Sequence, residues 1–165
     1  VAGHGRLAGV ALSTRRAIVT GATSGIGRAF AQELRDRGWD LVLVARDAAR
    51  LEQVAGALGG AEVLPADLAT TAGCDALVAR LDSVQLLVNA AGCGTTHRFP
   101  EEDLEVERRM LDLNVRSTLL LSHAAASRRV GVVNVASTAA IWSTGTYAAS
   151  KAWVLAATRG LADAV

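Results

Sequence analysis

Short apolar runs alternate along this chain with stretches in which apolar residues recur at every fourth position. The runs occupy residues 17–20, 41–44, 61–64, 86–88 and 130–135. Continuous runs of this length read as parallel strands buried on both faces. After the first, Ile26, Phe30 and Leu34 share a helical face while Arg35, Asp36 and Arg37 turn to water, and Gly38 is placed to stop the helix. Asp47 is placed to cap a second helix, where Leu51, Val54 and Leu58 fall together before Gly59-Gly60 ends it. A weaker helix covers about residues 71–81. Behind Pro100, acidic residues 101–103 open a long helix, as its dipole favours, and Leu104, Arg108, Leu111 and Val115 line one face. A last helix runs from near Tyr147 to about Ala164. Such alternation builds right-handed βαβ units, so the expected fold class is α/β, a doubly wound parallel sheet in a three-layer αβα arrangement. Residues 1–14 show no period and read as a loose leader to one domain at 15–165.

Between the first strand and the first helix stands Thr20-Gly21-Ala22-Thr23-Ser24-Gly25-Ile26-Gly27. Gly21 permits a tight turn, Gly25 lets the backbone approach a ligand, and Gly27 lets the helix pack closely on its strand. Free N–H groups at a helix opening attract anions, and a pyrophosphate fits that place. The domain is therefore expected to be of the dinucleotide-binding Rossmann type.

Composition narrows the partners. With 165 residues, 51% hydrophobic and 20% charged, the chain can bury one proper core. A net charge of +1 argues against a nucleic-acid partner. No apolar run approaches a membrane span, and residues 1–12 make a poor signal peptide. Cys74 and Cys93 give no disulfide framework, and His4, His97 and His123 show no ligand spacing, so no metal is expected. A soluble, cytoplasmic domain acting on a small molecule is the expectation. Cys93 reads as a buried inert thiol, Trp39 and Trp153 as packing residues, and Trp142 as either packing or a contact to an apolar substrate.

Five motifs stand in order: the 20–27 turn, Asp67-Leu68, Asn89-Ala90-Ala91-Gly92, Asn114 within Leu113-Asn114-Val115, and Ser137 followed by Tyr147-Ala148-Ala149-Ser150-Lys151. Together they resemble the short-chain dehydrogenase/reductase family, in its compact single-domain branch, over about residues 15–165. The resemblance implies an NAD(P)(H)-dependent oxidoreductase acting on a carbonyl or secondary alcohol. It implies that Gly21, Thr23, Ser24, Gly25, Ile26 and Gly27 cradle the cofactor, and that Asp67, beside Leu68, hydrogen-bonds adenine, a helix cap being its alternative role. Asn89, Ala90 and Gly92 would form the cofactor wall, Ala90 standing where the family usually has a second Asn. By the same analogy Lys151 holds the nicotinamide ribose, Ser137 hydrogen-bonds the substrate oxygen, and Asn114 positions a water linking Lys151 to solvent. Pairing through the long helices, as a homodimer or homotetramer, is also implied by analogy alone.

Ketone reduction needs an acid that protonates the forming alkoxide, and Tyr147 is the candidate. Free tyrosine titrates near ~10, so it requires a neighbour that favours phenolate. Lys151, four residues on, falls on the same helical face and acts in that direction. Cofactor choice turns on the end of the second strand, where an NAD site carries an acid about 20 residues beyond the glycines. Here Ala45 and Arg46 stand there, and a guanidinium pairs with a 2′-phosphate. NADP(H) is the expected cofactor; NAD(H) stays possible because Asp47 is adjacent.

The chain stops at the helix carrying Tyr147, whereas the resemblance implies two further strands and a segment closing over substrate. The domain is thus expected to lack its C-terminal strands. Links 59–61, 82–84, 121–130 and 137–147 are short and read as joins between ordered pieces. A second reading stays open: a non-catalytic dinucleotide-binding sensor or interaction module on the same scaffold. The intact Asn114, Ser137, Tyr147 and Lys151 favour the enzyme.

Overall fold

The computed structural model describes residues 15–97 and 99–162; the leader expected at 1–14 and the last residues of the chain lie outside the described residues. Its elements are β1 (Arg16–Thr20), α1 (Gly25–Asp36), β2 (Asp40–Ala45), α2 (Ala48–Ala57), β3 (Glu62–Pro65), α3 (Thr71–Val78), β4 (Leu86–Asn89), α4 (Leu104–Leu111), α5 (Ser117–Ala126), β5 (Gly131–Asn134), α6 (Ala139–Trp142) and α7 (Thr146–Ala162). The strands form one five-stranded sheet in the order β3-β2-β1-β4-β5, every pair parallel. Chain direction across the sheet reverses between β1 and β4, and that reversal opens a crevice at the strands' C-terminal ends.

Alternation within the apolar runs divides the core. Ala17, Val19, Leu41, Leu43 and Val88 face one layer with Leu34 of α1 and Leu51 of α2. Ile18, Val42, Val44 and Leu87 face the other, with Leu77 of α3 and Leu121 of α5. Because successive strand residues point to opposite faces, a strand covered on both sides must be apolar at every position. Each large side chain fully buried there contributes about 1.5–3 kcal/mol. Asp47 caps α2 as expected, accepting from the Arg50 N–H at 3.0 Å, and Thr70 does the same for α3 through the Gly73 N–H at 3.1 Å.

The long helix departs from the expectation. Leu104 and Leu111, read as its inward face, are 72% and 40% exposed. The buried residues are instead Glu107 and Met110 of α4 and Asn114 of the following turn. A π-helical turn at Asp112–Arg116 joins α4 to α5. One additional residue in that turn shifts the helical phase, so no single four-residue stripe can face inward along its whole length.

Each of the four short links closes as a tight turn or short helix between the elements it joins. Gly59 and Gly60 both take positive φ, and a 3₁₀ turn at Leu81–Ser83 fills the second link. α5 runs on to Ala126 and is ended by Arg129 at φ 58, with the Val130 N–H returning to the Ala125 carbonyl at 3.0 Å. α6 and Gly145 at φ 92 span the segment between Ser137 and Tyr147. No helix among the described residues is long and apolar enough to cross a membrane.

Candidate active site

The glycine turn takes the conformation its residues were expected to allow. Gly21 sits at φ 65, where a Cβ would lie 3.0 Å from the Ala90 carbonyl and the Ala91 backbone. Gly25 sits at φ 49 with nothing within 4 Å of that position, which leaves its backbone open to a ligand. A Cβ on Gly27 would overlap the Gly21 carbonyl, so the first turn of α1 rests directly on the end of β1. The Thr20 hydroxyl accepts from the Ala90 and Ala91 N–H groups, both at 3.0 Å, tying this turn to the loop after β4. Ser24 stands at the N-cap of α1 but makes no side-chain capping bond.

Facing the turn is a cleft of about 510 Å³ whose lining includes Gly25, Ile26, Gly92, Ser137, Tyr147 and Lys151. Lys151 is buried, its Nζ donates to the Val135 carbonyl at 3.0 Å, and burial pushes its pKa below the ordinary lysine range. The Ser137 Oγ accepts from the Ala139 N–H at 3.2 Å. Asn114 is wholly committed: its Oδ1 accepts from the Cys93 N–H at 3.0 Å, while its Nδ2 donates to the Cys93 carbonyl at 2.8 Å and to Ser150 Oγ at 3.1 Å. Ser150 in turn donates to the Tyr147 carbonyl at 2.7 Å. Asn114 therefore clamps the β4 loop to the first turn of α7. The sequence reading passed over Ser150 as a link in that clamp.

Along the sheet a second cleft, about 520 Å³, continues past Thr23, Arg46, Asp47, Arg50, Asp67 and Leu68. One oxygen of Asp47 is taken up in the cap, and Arg46 and Arg50 are the cations that line this end. Arg50 is a further residue that sequence reasoning missed; its position three residues beyond the cap was the available signal. Asp67 accepts from the Ala69 N–H at 3.1 Å and pairs with Arg109 at 2.8 Å. Burial pushes its pKa up, but the Arg109 bond, the Ala69 N–H and the charges of Arg109 and Arg46 together hold it below the ordinary carboxylate value. Asn89 does not line either cleft. Its Nδ2 donates to Asn134 Oδ1 at 2.9 Å and Ser122 Oγ at 3.3 Å, bracing β4 against β5 and α5 beneath the site.

Beyond Tyr147 a third cleft, about 730 Å³, is walled by Thr95, Phe99, Glu107 and residues 142–147. Glu102 pins its loop by accepting from the His97, Thr96 and Asp103 N–H groups at 2.9, 2.6 and 3.2 Å. Those bonds, led by the His97 N–H, push its pKa down to about 2. Cys93, expected to be buried, is exposed; Cys74 is the buried thiol. Trp142 is 82% exposed and so does not pack. Trp39 lies under the Arg15 guanidinium, 4.9 Å from its ring centre.

The profile of a family described as short chain dehydrogenase matches residues 15–165. An uncharacterized oxidoreductase of Staphylococcus epidermidis is 32% identical over 158 residues, covering 88% of this chain and 69% of that protein. Among solved structures, a bulky-bulky ketone specific alcohol dehydrogenase from Comamonas testosteroni superposes with a TM-score of 0.86 at 32% identity, covering 90% of this chain and 66% of that one. A short-chain dehydrogenase from Sphingobium yanoikuyae in complex with NADPH gives 0.84 at 36% identity, covering 89% and 64%. The chain thus spans 64–69% of the length of these three proteins.

Proposed function

The chain belongs to the short chain dehydrogenase family, and from that membership we propose that it transfers hydride between NADP(H) and a carbonyl or secondary alcohol, with Tyr147 as general acid/base. The observation that carries the proposal is that Ser137, Tyr147 and Lys151 line one cleft with the glycine turn. The residues present fit a dinucleotide. Gly25 leaves an open approach, the uncapped start of the 12-residue α1 offers N–H groups and a positive dipole end, and Arg46 and Arg50 stand at the far end. On this reading the Gly21–Gly27 backbone holds the pyrophosphate, Arg46 and Arg50 the 2′-phosphate, and Lys151 the nicotinamide ribose. NADP(H), when bound, supplies or accepts the hydride.

The remaining chemistry belongs to the chain. Tyr147 gives its phenolic proton to the substrate oxygen in reduction and takes it back in oxidation. The Ala139 N–H occupies a lone pair of Ser137, which leaves the hydroxyl proton to donate to that same oxygen as its charge develops. Lys151 brings a positive charge one helical turn from the phenol. Asn114 acts as a positioning residue, holding the β4 loop and α7 in register. Pairing of two chains is part of the same proposal: Leu104, Leu111, Leu119 and Leu120 leave apolar surface on the outer side of α4 and α5.

NADPH oxidation across a panel of carbonyls tests the reading. Tyr147→Phe is expected to lower kcat by about 10²–10⁴ while binding NADPH as tightly as wild type. Undiminished turnover by that variant would remove Tyr147 from the mechanism. Tight NADPH binding with no turnover by wild type would return the chain to the sensor reading.

A further inference from the structure

Two arginines of the helical stretch running from α4 through the π turn reach across to the loop that follows β3. Arg109 donates to Asp67 Oδ2 at 2.8 Å, and Arg116 donates to the Ala69 carbonyl. Ala69 is also the residue whose N–H meets Asp67 Oδ1, at 3.1 Å. Asp67 is therefore held at both carboxylate oxygens, one by its own loop and one by α4. The loop itself is tied to the turn beyond α4 through Arg116. Leu113, between the two arginines in the chain, lines the cleft of about 520 Å³ together with Asp67 and Leu68.

Stability of the fold does not account for Arg109. Its side chain is 43% exposed and that of Asp67 33% exposed, and an ion pair so open to water contributes little. What the pair fixes is direction. The last torsion of a carboxylate side chain is broad and soft, so its plane is set only when both oxygens are engaged. A carboxylate offers about four lone-pair positions, and the bonds to Ala69 and Arg109 leave Asp67 able to accept from a ligand as well. Arg46 and Arg50 line the same cleft. With the 2′-phosphate proposed at those two residues, the base of the same nucleoside belongs in this cleft, and the amine of adenine is the N–H donor that such an acceptor fits.

We propose that Arg109 is a positioning residue for the adenine half of the cofactor: by holding Asp67 it fixes the acceptor for the adenine amine, and with Arg116 it ties α4 to the loop that walls the base. This rests on the proposed binding of NADP(H). Arg109 acts through Asp67 and takes no part in hydride or proton transfer. Its effect falls on affinity for the nucleotide.

Calorimetric titration of the full chain with adenosine 2′,5′-bisphosphate, which carries the adenine but no nicotinamide, reads the effect without turnover. Arg109→Ala is expected to weaken that binding about tenfold, and Arg109→Lys, which keeps the charge and one donor, to recover part of the loss. In an Asp67→Ala background the same Arg109→Ala change is expected to cost less than about twofold, because the partner it acts through is gone. Steady-state kinetics should show the KM for NADPH raised about tenfold in Arg109→Ala, with kcat at saturation within about twofold of wild type. A variant that melts lower yet binds the bisphosphate as tightly as wild type would reduce Arg109 to a structural role and overturn the proposal, leaving the oxidoreductase reading intact. Losses that add in the double variant would overturn it too, since Arg109 would then act independently of Asp67. No binding of the bisphosphate by wild type would overturn both this proposal and the NADP(H) reading. A selective loss in Arg109→Ala, with turnover unaffected by Tyr147→Phe, would leave Arg109 in place and sink the proposed hydride chemistry.

Discussion

Arg46 and Arg50 reach the same end of the crevice from the two sides of an aspartate that caps a helix through one carboxylate oxygen. The proximity of Asp47 left the cofactor open in the sequence; in the structure its Oδ1 accepts from the Arg50 N–H, and on the proposed reading Arg46 and Arg50 meet the 2′-phosphate. Arg46→Ala is accordingly expected to raise the KM for NADPH by roughly ten- to a hundredfold, the range for one charge-assisted bond, with the KM for NADH little changed. Steady-state kinetics with both cofactors checks it, and Arg50→Ala should move KM the same way. Glu102 allows a pH prediction. Its folded pKa of about 2 lies below the ordinary value of 4.5, so the loop contacts it makes are fully present above that ordinary value and are lost as pH falls toward 2. In an NMR titration the Thr96 and His97 amide shifts should stay constant from neutral pH to the upper edge of that window and then move with the carboxylate. Movement of those shifts near neutrality would contradict the assignment. Ser137, Tyr147 and Lys151 were legible as residues because their chemistry and spacing are local. The burial of Glu107 was not, because it depends on a helical phase that no local pattern records.

At the scale of elements, the glycine turn and the helix ends carry separable amounts of stability. Gly27 has backbone, not a side chain, in the way of a Cβ, so Gly27→Ala forces α1 off β1. A loss of about 1–3 kcal/mol is expected, read as a lowered Tm. Arg129 holds a left-handed conformation at φ 58 to end α5, which costs a residue with a Cβ on the order of 1 kcal/mol. Arg129→Gly should therefore raise the Tm by a few degrees. The spacing of Leu104, Arg108, Leu111 and Val115 defines a face but not the direction in which it points, and the Asp112–Arg116 π turn sets the stretch beyond it in a different phase. That same turn presents Asn114 to the β4 loop, so the irregularity and the clamp on Cys93 share one cause.

For the molecule as a whole, both faces of the sheet are covered and the crevice lies where strand order reverses between β1 and β4. A ligand held across that crevice bridges residues from the ends of several strands and binds the folded state alone. Saturating NADPH is expected to raise the Tm, with about 2.7 kcal/mol gained at a hundred times Kd. NADH at equal concentration should raise it less, and a scanning calorimeter would show an equal rise if Arg46 and Arg50 did not discriminate. Sequence by itself determined the strand runs, the glycine turn and the order of the motifs, because each depends on residue type and on neighbours a few positions away. Tertiary structure alone decided which sides of the helices are buried, that Asn89 braces the sheet beneath the crevice, and that Glu107 is enclosed. Those outcomes depend on which atoms from distant segments meet, and burial becomes costly or harmless only once that company is fixed.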